Sequence, residues 1–324
     1  MCTCLDLKAR DYYFGRNLDL EYNFNEEVVI TPRKYSYKLK NGKDVSNKYA
    51  MIGMATVCDN YPLYADAANE KGLCMAGLMF PQNAFYPAPQ KDSNNIASYE
   101  LILWILGNFK SVDEVKKITK DLVITNEVLN NKMPSSELHW IISDKDKSIV
   151  LEEMKDGLHV YDNKYGILTN NPPFPYHELN VINYINISPR YPSNRFSDKL
   201  CLTPFAQSFG SIGLPGDLTP QSRFVRTAFN KFNARISNNN LENVAQFFHI
   251  LDNVAFIDGT TITKENKYDK TMYSSCINVT NGIYYYKTYN NNQITAVKMT
   301  DSEKNKKSLS IYPLIIDEQI NYIN

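Results

Sequence analysis

The chain has 324 residues, 43% of them hydrophobic and 12% aromatic, so it can bury a sizeable core and is not a disordered segment. Lys+Arg and Asp+Glu both number 35, which argues against nucleic acid or an anionic membrane as the main partner and leans toward a small amphiphilic ligand. The length allows two domains or one large sheet-based domain, and no repeat or low-complexity linker marks a division.

In chain order, residues 2–7 and 11–15 read as a first hairpin, followed by a strand at 27–31. Residues 50–57 (AMIGMATV) and 75–80 (MAGLMF) are apolar, strand-like runs, the second preceded by the turn Asn69-Glu70-Lys71-Gly72. Residues 99–108 (YELILWILGN) are long enough for a buried helix, and Ser111 can cap the next one with Glu114 at the capping-box position. A meander follows over 138–143, 148–154, 158–161 and 166–169, with Asp156-Gly157 marking a tight turn. Thr219-Pro220 opens a helix over 222–236, a second covers 241–256, and strands at 273–280, 283–289, 293–299 and 308–314 close the chain. Strands at both ends with helices between them suggest two sheets face to face with helices outside.

Six cysteines (Cys2, Cys4, Cys58, Cys74, Cys201, Cys276) at irregular spacing, with no CxxC pair, form neither a disulfide framework nor a zinc site. Residues 3–10 are too short and too charged for a signal peptide, and no run of about 18 apolar residues offers a membrane span. The expected location is therefore the cytoplasm, whose reducing conditions keep a thiol usable.

Cys2 is the residue with chemistry to offer. Once Met1 is removed, it carries a thiol and a free amine together. An α-amine titrates near 7.7–8.0 and a thiol near 8.5, so the amine can take the thiol's proton at neutral pH without a histidine. Arg16, within Phe14-Gly15-Arg16-Asn17-Leu18-Asp19, would favour the thiolate, and Asp19 would orient the amine. Taken alone, an early cysteine is more often a small buried hydrophobe, and Arg-Asn-Leu-Asp a solvated turn. Cys4 would share a strand face with Cys2 and reads as packing.

Further segments accompany the N-terminus: Asn69-Glu70-Lys71-Gly72-Leu73, Ala76-Gly77-Leu78-Met79-Phe80-Pro81, Leu168-Thr169-Asn170-Asn171-Pro172, and Gly213-Leu214-Pro215-Gly216-Asp217 before Ser222-Arg223-Phe224. Each alone is ordinary turn chemistry. In this order, and with Leu138-His139-Trp140, Phe247-Phe248-His249-Ile250-Leu251 and Gly282-Ile283-Tyr284-Tyr285-Tyr286, the chain resembles the choloylglycine hydrolase family, above all its bile salt hydrolase branch, over nearly its whole length. That family comprises bile salt hydrolases and penicillin V acylases, which are N-terminal-nucleophile hydrolases.

The resemblance implies an α+β fold: a four-layer αββα sandwich of two antiparallel sheets between helices, in one domain over residues 1–324, with Met1 removed. It implies Cys2 as nucleophile with its amine as base, Arg16 beside the thiolate, Asp19 on the amine, Asn170 in the oxyanion hole and Arg223 completing the polar site. By the same correspondence Leu18, Cys58, Tyr64, Leu129 and Met133 would line the acyl pocket. It implies no cofactor and no metal, a conjugated bile salt as substrate, and a homotetramer. None of His139, His159, His177 and His249 is required.

Met79 departs from the pattern. Bile salt hydrolases typically carry Asn there, and methionine donates no hydrogen bond. An oxyanion hole short of one donor loses about 10²–10³ in rate, so Met79→Asn is expected to raise kcat, with Gln82 or Asn83 as partial substitutes. The same chemistry on penicillin V or an N-acyl homoserine lactone, and a weakly catalytic amphiphile-binding protein, are the alternatives.

Overall fold

The computed structural model describes residues 1–130 and 135–324. Met133 therefore lies outside the described residues.

Two antiparallel sheets stack face to face. The smaller has six strands, in the spatial order Ile167–Leu168, Cys2–Lys8, Tyr12–Leu20, Lys270–Asn278, Ile283–Thr288 and Thr295–Lys298. The larger has eight, in the order Gly157–Asp162, Ser148–Met154, Leu138–Ser143, Cys74–Met79, Tyr61–Asn69, Met51–Cys58, Glu27–Thr31 and Ser310–Pro313. Alternation along each strand decides which face meets which layer. In Cys74–Met79, residues Cys74, Ala76 and Leu78 join the core between the sheets, whereas Met75 turns to the opposite face. There it packs with Leu101, Ile105 and Leu106 of the helix Leu101–Asn108. On the far side of the smaller sheet, Phe224 of the helix Pro220–Asn233 and Phe247 and Leu251 of Asn240–Asp252 join the core on the face that carries Leu5 and Cys276. The result is the four-layer α/β/β/α sandwich.

Helix starts follow local chemistry. Ser111 caps Val112–Ile118 by accepting from the Glu114 amide at 3.3 Å, but the Glu114 carboxylate takes the Lys110 amide at 2.9 Å, so the capping box is not closed on Ser111. Pro220 stands in the first turn of its helix, where no backbone donor is missed. Gly15 is required by proximity: a Cβ there would sit 2.1 Å from the Ser275 carbonyl oxygen of the neighbouring strand. That close contact seats Arg16 at a fixed height between the sheets. No helix among the described residues is long and apolar enough to cross a membrane.

Candidate active site

Cys2 begins the first strand, opposite Leu18, and is buried. Its backbone nitrogen donates to Asn170 Oδ1 at 2.8 Å. The same oxygen accepts from Arg223 Nη2 at 2.7 Å. Arg223 reaches in from the first turn of its helix, donating through Nη1 to the Cys2 carbonyl and, at 2.6 Å, to Thr3 Oγ1. Its Nε is anchored on the Leu218 carbonyl at 2.9 Å, and the Phe256 ring lies 5.3 Å from the guanidinium. Burial, only partly offset by Asp19, Cys2 and Asp269, pulls the Arg223 pKa below its ordinary value.

Arg16 has a different task. The strands Tyr61–Asn69 and Cys74–Met79 pair only as far as Asp66 and Ala76 and then separate. Arg16 Nη1 bridges the gap, donating to the Ala65 carbonyl at 3.1 Å and the Gly77 carbonyl at 2.6 Å. Nη2 is buried without a hydrogen-bond partner. Burial works against this charge, but Cys2, Tyr273 and Asp66 more than compensate and raise the Arg16 pKa. A cation that cannot lose its proton thus stands beside the thiol.

Asp19 points to the other face of its strand, where Thr271 Oγ1 donates to Oδ1 at 2.6 Å and Oδ2 has no partner. Burial pushes its carboxyl up to about 6, against the opposing pull of the chain's amino group and Arg223. That amino group, on Met1 here, donates to the Asp19 carbonyl at 2.5 Å and pairs with Asp269 at 3.5 Å.

The oxyanion region is built by main chain as much as by side chain. The Phe80 amide donates to the Glu137 carbonyl at 2.7 Å across the ladder. Strand alternation then turns the Met79 amide and carbonyl toward the opposite edge, and the Met79 carbonyl accepts from Asn170 Nδ2 there at 2.8 Å. The Met79 backbone thus faces Asn170 whatever side chain it bears. Gln82 and Asn83 are not among the described residues that line the cavity: Gln82 is exposed and Asn83 Nδ2 turns to the Pro81 carbonyl.

A cavity of about 700 Å³ opens from this polar cluster, a size suited to a small-molecule ligand. Cys2, Arg16, Met79 and Asn170 line it, and so do Leu18, Tyr64 and Leu129. Cys58, paired with Tyr61 at the end of its strand, is not among the lining residues. The reason is position, since the strand carries it past the cavity wall formed by Ala55 and Thr56.

Sequence reasoning missed the groups that hold the site. Both nitrogens of buried His139 are engaged: Nδ1 with Glu152 Oε1 at 3.0 Å and Nε2 with the Thr169 carbonyl at 3.0 Å. His139 also stacks on Phe80 at 4.3 Å, so it braces the Met79 and Asn170 segments together. His177 Nε2 donates to the Asn170 carbonyl at 2.9 Å, and burial pulls its pKa down to about 4. Buried Asp66, accepting from Tyr273 and Tyr284 hydroxyls at 2.7 and 2.8 Å, sits behind Arg16. A lone carboxylate inside the small-residue run Ala65-Asp66-Ala67-Ala68 was the available signal for Asp66; nothing local points to Thr271 or His177.

Comparison with known proteins agrees with this geometry. The family model of linear amide C–N hydrolases, choloylglycine hydrolase family, matches residues 2–312. The chain is 44% identical over 324 residues to a bile salt hydrolase/transferase of Lactiplantibacillus plantarum, covering 100% of both proteins. The crystal structure of the C2A mutant of a conjugated bile acid hydrolase from Clostridium perfringens superposes with a TM-score of 0.92 at 41% identity, covering 100% of both chains. Penicillin V acylase from Agrobacterium tumefaciens shares the fold at a TM-score of 0.77 and 19% identity, covering 98% of this chain and 94% of the other.

Proposed function

The chain belongs to the choloylglycine hydrolase family of linear amide C–N hydrolases, and we propose that it cleaves the amide joining a steroid acid to glycine or taurine, with Cys2 as nucleophile after loss of Met1. The observation that carries this reading is that Cys2, Arg16 and Asn170 together line a cavity of about 700 Å³, with Arg223 buried behind them on Asn170 Oδ1 and the Cys2 carbonyl.

In this mechanism the thiolate, stabilised by Arg16, attacks the amide carbonyl. Negative charge develops on the carbonyl oxygen, for which the Met79 amide and Asn170 Nδ2 are the donors at hand. The α-amine of Cys2, oriented by Asn170 Oδ1 and Asp19, takes the thiol proton and passes it to the departing amine. A thioester remains. Water, deprotonated by the same amine, attacks it and releases the steroid acid and the free thiol.

The proposal takes residues 1–324 as one hydrolase domain, because both sheets supply cavity walls. It also includes assembly. The segment over 185–212 holds Ile185, Phe196, Phe205 and Ile212 in the open, Phe205 being 91% exposed; apolar surface of this kind marks an interface, and a homotetramer would cover it. Light scattering on the purified enzyme tests that point. A reducing cytoplasm suits an enzyme whose six cysteines are all unbridged.

The decisive experiment incubates the purified chain separately with glycocholate, taurocholate, penicillin V and an N-acyl homoserine lactone, and follows the released amine by mass spectrometry. Release of glycine or taurine with turnover supports the proposal. Turnover restricted to penicillin V or the lactone replaces its substrate, and no turnover of any replaces the function.

A further inference from the structure

Met1 sits in the cavity as a ligand would. Its amino group donates to the Asp19 carbonyl at 2.5 Å and pairs with Asp269 Oδ2 at 3.5 Å, while its own carbonyl accepts from the Asp19 amide at 2.9 Å. The nitrogen, α-carbon and carbonyl of Met1 are the skeleton of a glycine unit, held here at both ends. When Met1 leaves, the Asp19 main chain and the Asp269 carboxylate lose that partner together.

Asp269 bears the larger cost. It lines the cavity, is only 3% exposed, and its Oδ1 has no hydrogen-bond partner even with Met1 in place. Burial pushes its carboxyl up; the Met1 amino group is the main pull the other way, Glu21 adds to the rise and Arg223 opposes it. A buried carboxylate stripped of its cation is strongly disfavoured, so a positively charged N–H donor is expected to replace the Met1 amine. The amine that Cys2 exposes is held by Asn170 Oδ1 at 2.8 Å, which leaves the place to a group of the substrate.

The chain itself locates that place relative to the chemistry. One residue spans at most about 3.6 Å, so the position of the Met1 nitrogen adjoins the Cys2 nitrogen, the group that protonates the departing amine. Resting on the bile salt reading above, we propose that the Met1 backbone marks the site of the amino-acid leaving group, with the Asp19 carbonyl and Asp269 accepting from its nitrogen. An amide nitrogen has one N–H. Protonated in the tetrahedral adduct it has two and a positive charge, which matches two acceptors of which one is anionic. The Cys2 amine delivers the proton it took from the thiol, and the carbon–nitrogen bond breaks with its electron pair left on nitrogen. A neutral primary amine departs, the oxyanion's pair restores the carbonyl, and the thioester remains. Asp269 thus acts most strongly on the transition state of the acylation step.

The test compares a glycine conjugate with its glycolate ester, the same acyl group with oxygen in place of N–H, on wild type without Met1 and on Asp269→Asn, with thermal melting alongside. The ester oxygen leaves as an alcohol that needs no anionic partner, whereas both substrates need the Cys2 amine. Asp269→Asn is expected to lower kcat/KM at least about ten-fold on the amide, the scale of a lost charged hydrogen bond, and at most about two-fold on the ester. Equal losses on both substrates would assign Asp269 to the Cys2 amine or to the scaffold, and no loss on the amide would remove it from the reaction; either overturns the proposal and leaves bile salt hydrolysis standing. Wild type that releases no glycine overturns both. If Asp269→Asn does not fold, wild type decides: free glycine should inhibit ester cleavage at about ten-fold lower concentration than glycolate, which carries a hydroxyl for the amine, and equal inhibition counts against the site.

Discussion

Asn170 Oδ1 accepts the backbone nitrogen of Cys2 at 2.8 Å, and that nitrogen changes character when Met1 leaves. As a peptide nitrogen it has no lone pair to offer. As an amine it becomes a base already held in orientation by Asn170. Met1 meanwhile lines the cavity and ties its own amino group to the Asp19 carbonyl at 2.5 Å.

Maturation is therefore the first prediction. Intact mass of active enzyme should correspond to the chain without methionine, and material made with methionine aminopeptidase inhibited should lose at least about 10² in rate, on the scale of a missing general base. Full activity with Met1 in place would remove the amine from the mechanism. Cys2→Ser should be far slower, and Cys2→Ala should abolish iodoacetamide labelling of the N-terminal peptide in a peptide map.

The second prediction concerns pH. Burial lifts the Asp19 carboxyl to about 6, above its ordinary 3.8. Protonation below that value removes the charge that holds the amine, so kcat/KM should fall as pH drops through about 6. Asp19→Asn should be slower at neutral pH and lack that acid limb. The sign for stability is opposite: between about 4 and 6 the native state holds a proton that the unfolded chain releases, so Asp19 favours the fold more as pH falls through that window. An acid limb unchanged in Asp19→Asn would assign it to another group.

Arg16→Leu provides the third. It strips the hydrogen bonds from the buried Gly77 carbonyl and the half-buried Ala65 carbonyl, as well as the charge beside the thiol. A buried carbonyl left bare costs about 1–3 kcal/mol. The variant should melt lower, turn over more slowly and alkylate at Cys2 only at higher pH. Arg16→Lys, which keeps a charge but not the two-carbonyl bridge, should recover part of the alkylation profile and less of the melting temperature. An alkylation profile identical to wild type in Arg16→Leu would leave Arg16 a structural bridge alone.

His177 gives a fourth, by linkage. Burial keeps it neutral, with its pKa down to about 4, while its Nε2–H holds the Asn170 carbonyl. The unfolded chain protonates this histidine below about 6.5 and the native state does not, so native stability should fall as pH drops from about 6.5 to 4. His177→Gln, which can still donate to that carbonyl, should flatten this dependence while keeping most of the turnover. An unaltered pH slope in the variant would show that other groups set it.

What the sequence made legible depends on how local the cause is. The strands Leu138–Ser143 and Ser148–Met154 appear at the predicted residues because β-branched alternation flanks a polar turn. Tyr61–Asn69 escaped prediction: Pro62 and three alanines are poor strand formers, and neighbours on both sides hold it in the sheet. The same rule governs the site. Cys2, Arg16 and Asp19 share one hairpin and a readable motif, but Asn170 stands 168 residues from Cys2 and was reached only through family resemblance. Thr271, Asp66, Glu152 and His177 act through partners that no spacing along the chain discloses.

Met79 separates the two views most sharply. Read from sequence, a methionine where the family resemblance implies asparagine leaves the oxyanion hole one donor short, and Met79→Asn should gain up to about 10² in kcat. The structure shifts the weight to the main chain. Phe80 pairs outward with Glu137, so the Met79 amide and carbonyl face Asn170, and Asn170 Nδ2 already bonds that carbonyl at 2.8 Å. A donor that belongs to the backbone is indifferent to the side chain. Met79→Asn is therefore expected to leave kcat within about three-fold. KM should move instead, because the thioether lines the cavity and its replacement puts a polar amide against the acyl group. Asn170→Ala, by contrast, removes a side-chain donor and the acceptor for both Cys2 and Arg223, and should cost at least about 10² in kcat. Steady-state kinetics on one conjugated bile salt with the two variants separates these accounts. A hundred-fold rise in kcat for Met79→Asn would return the oxyanion donor to the side chain, and a small effect from Asn170→Ala would take it away from this turn altogether.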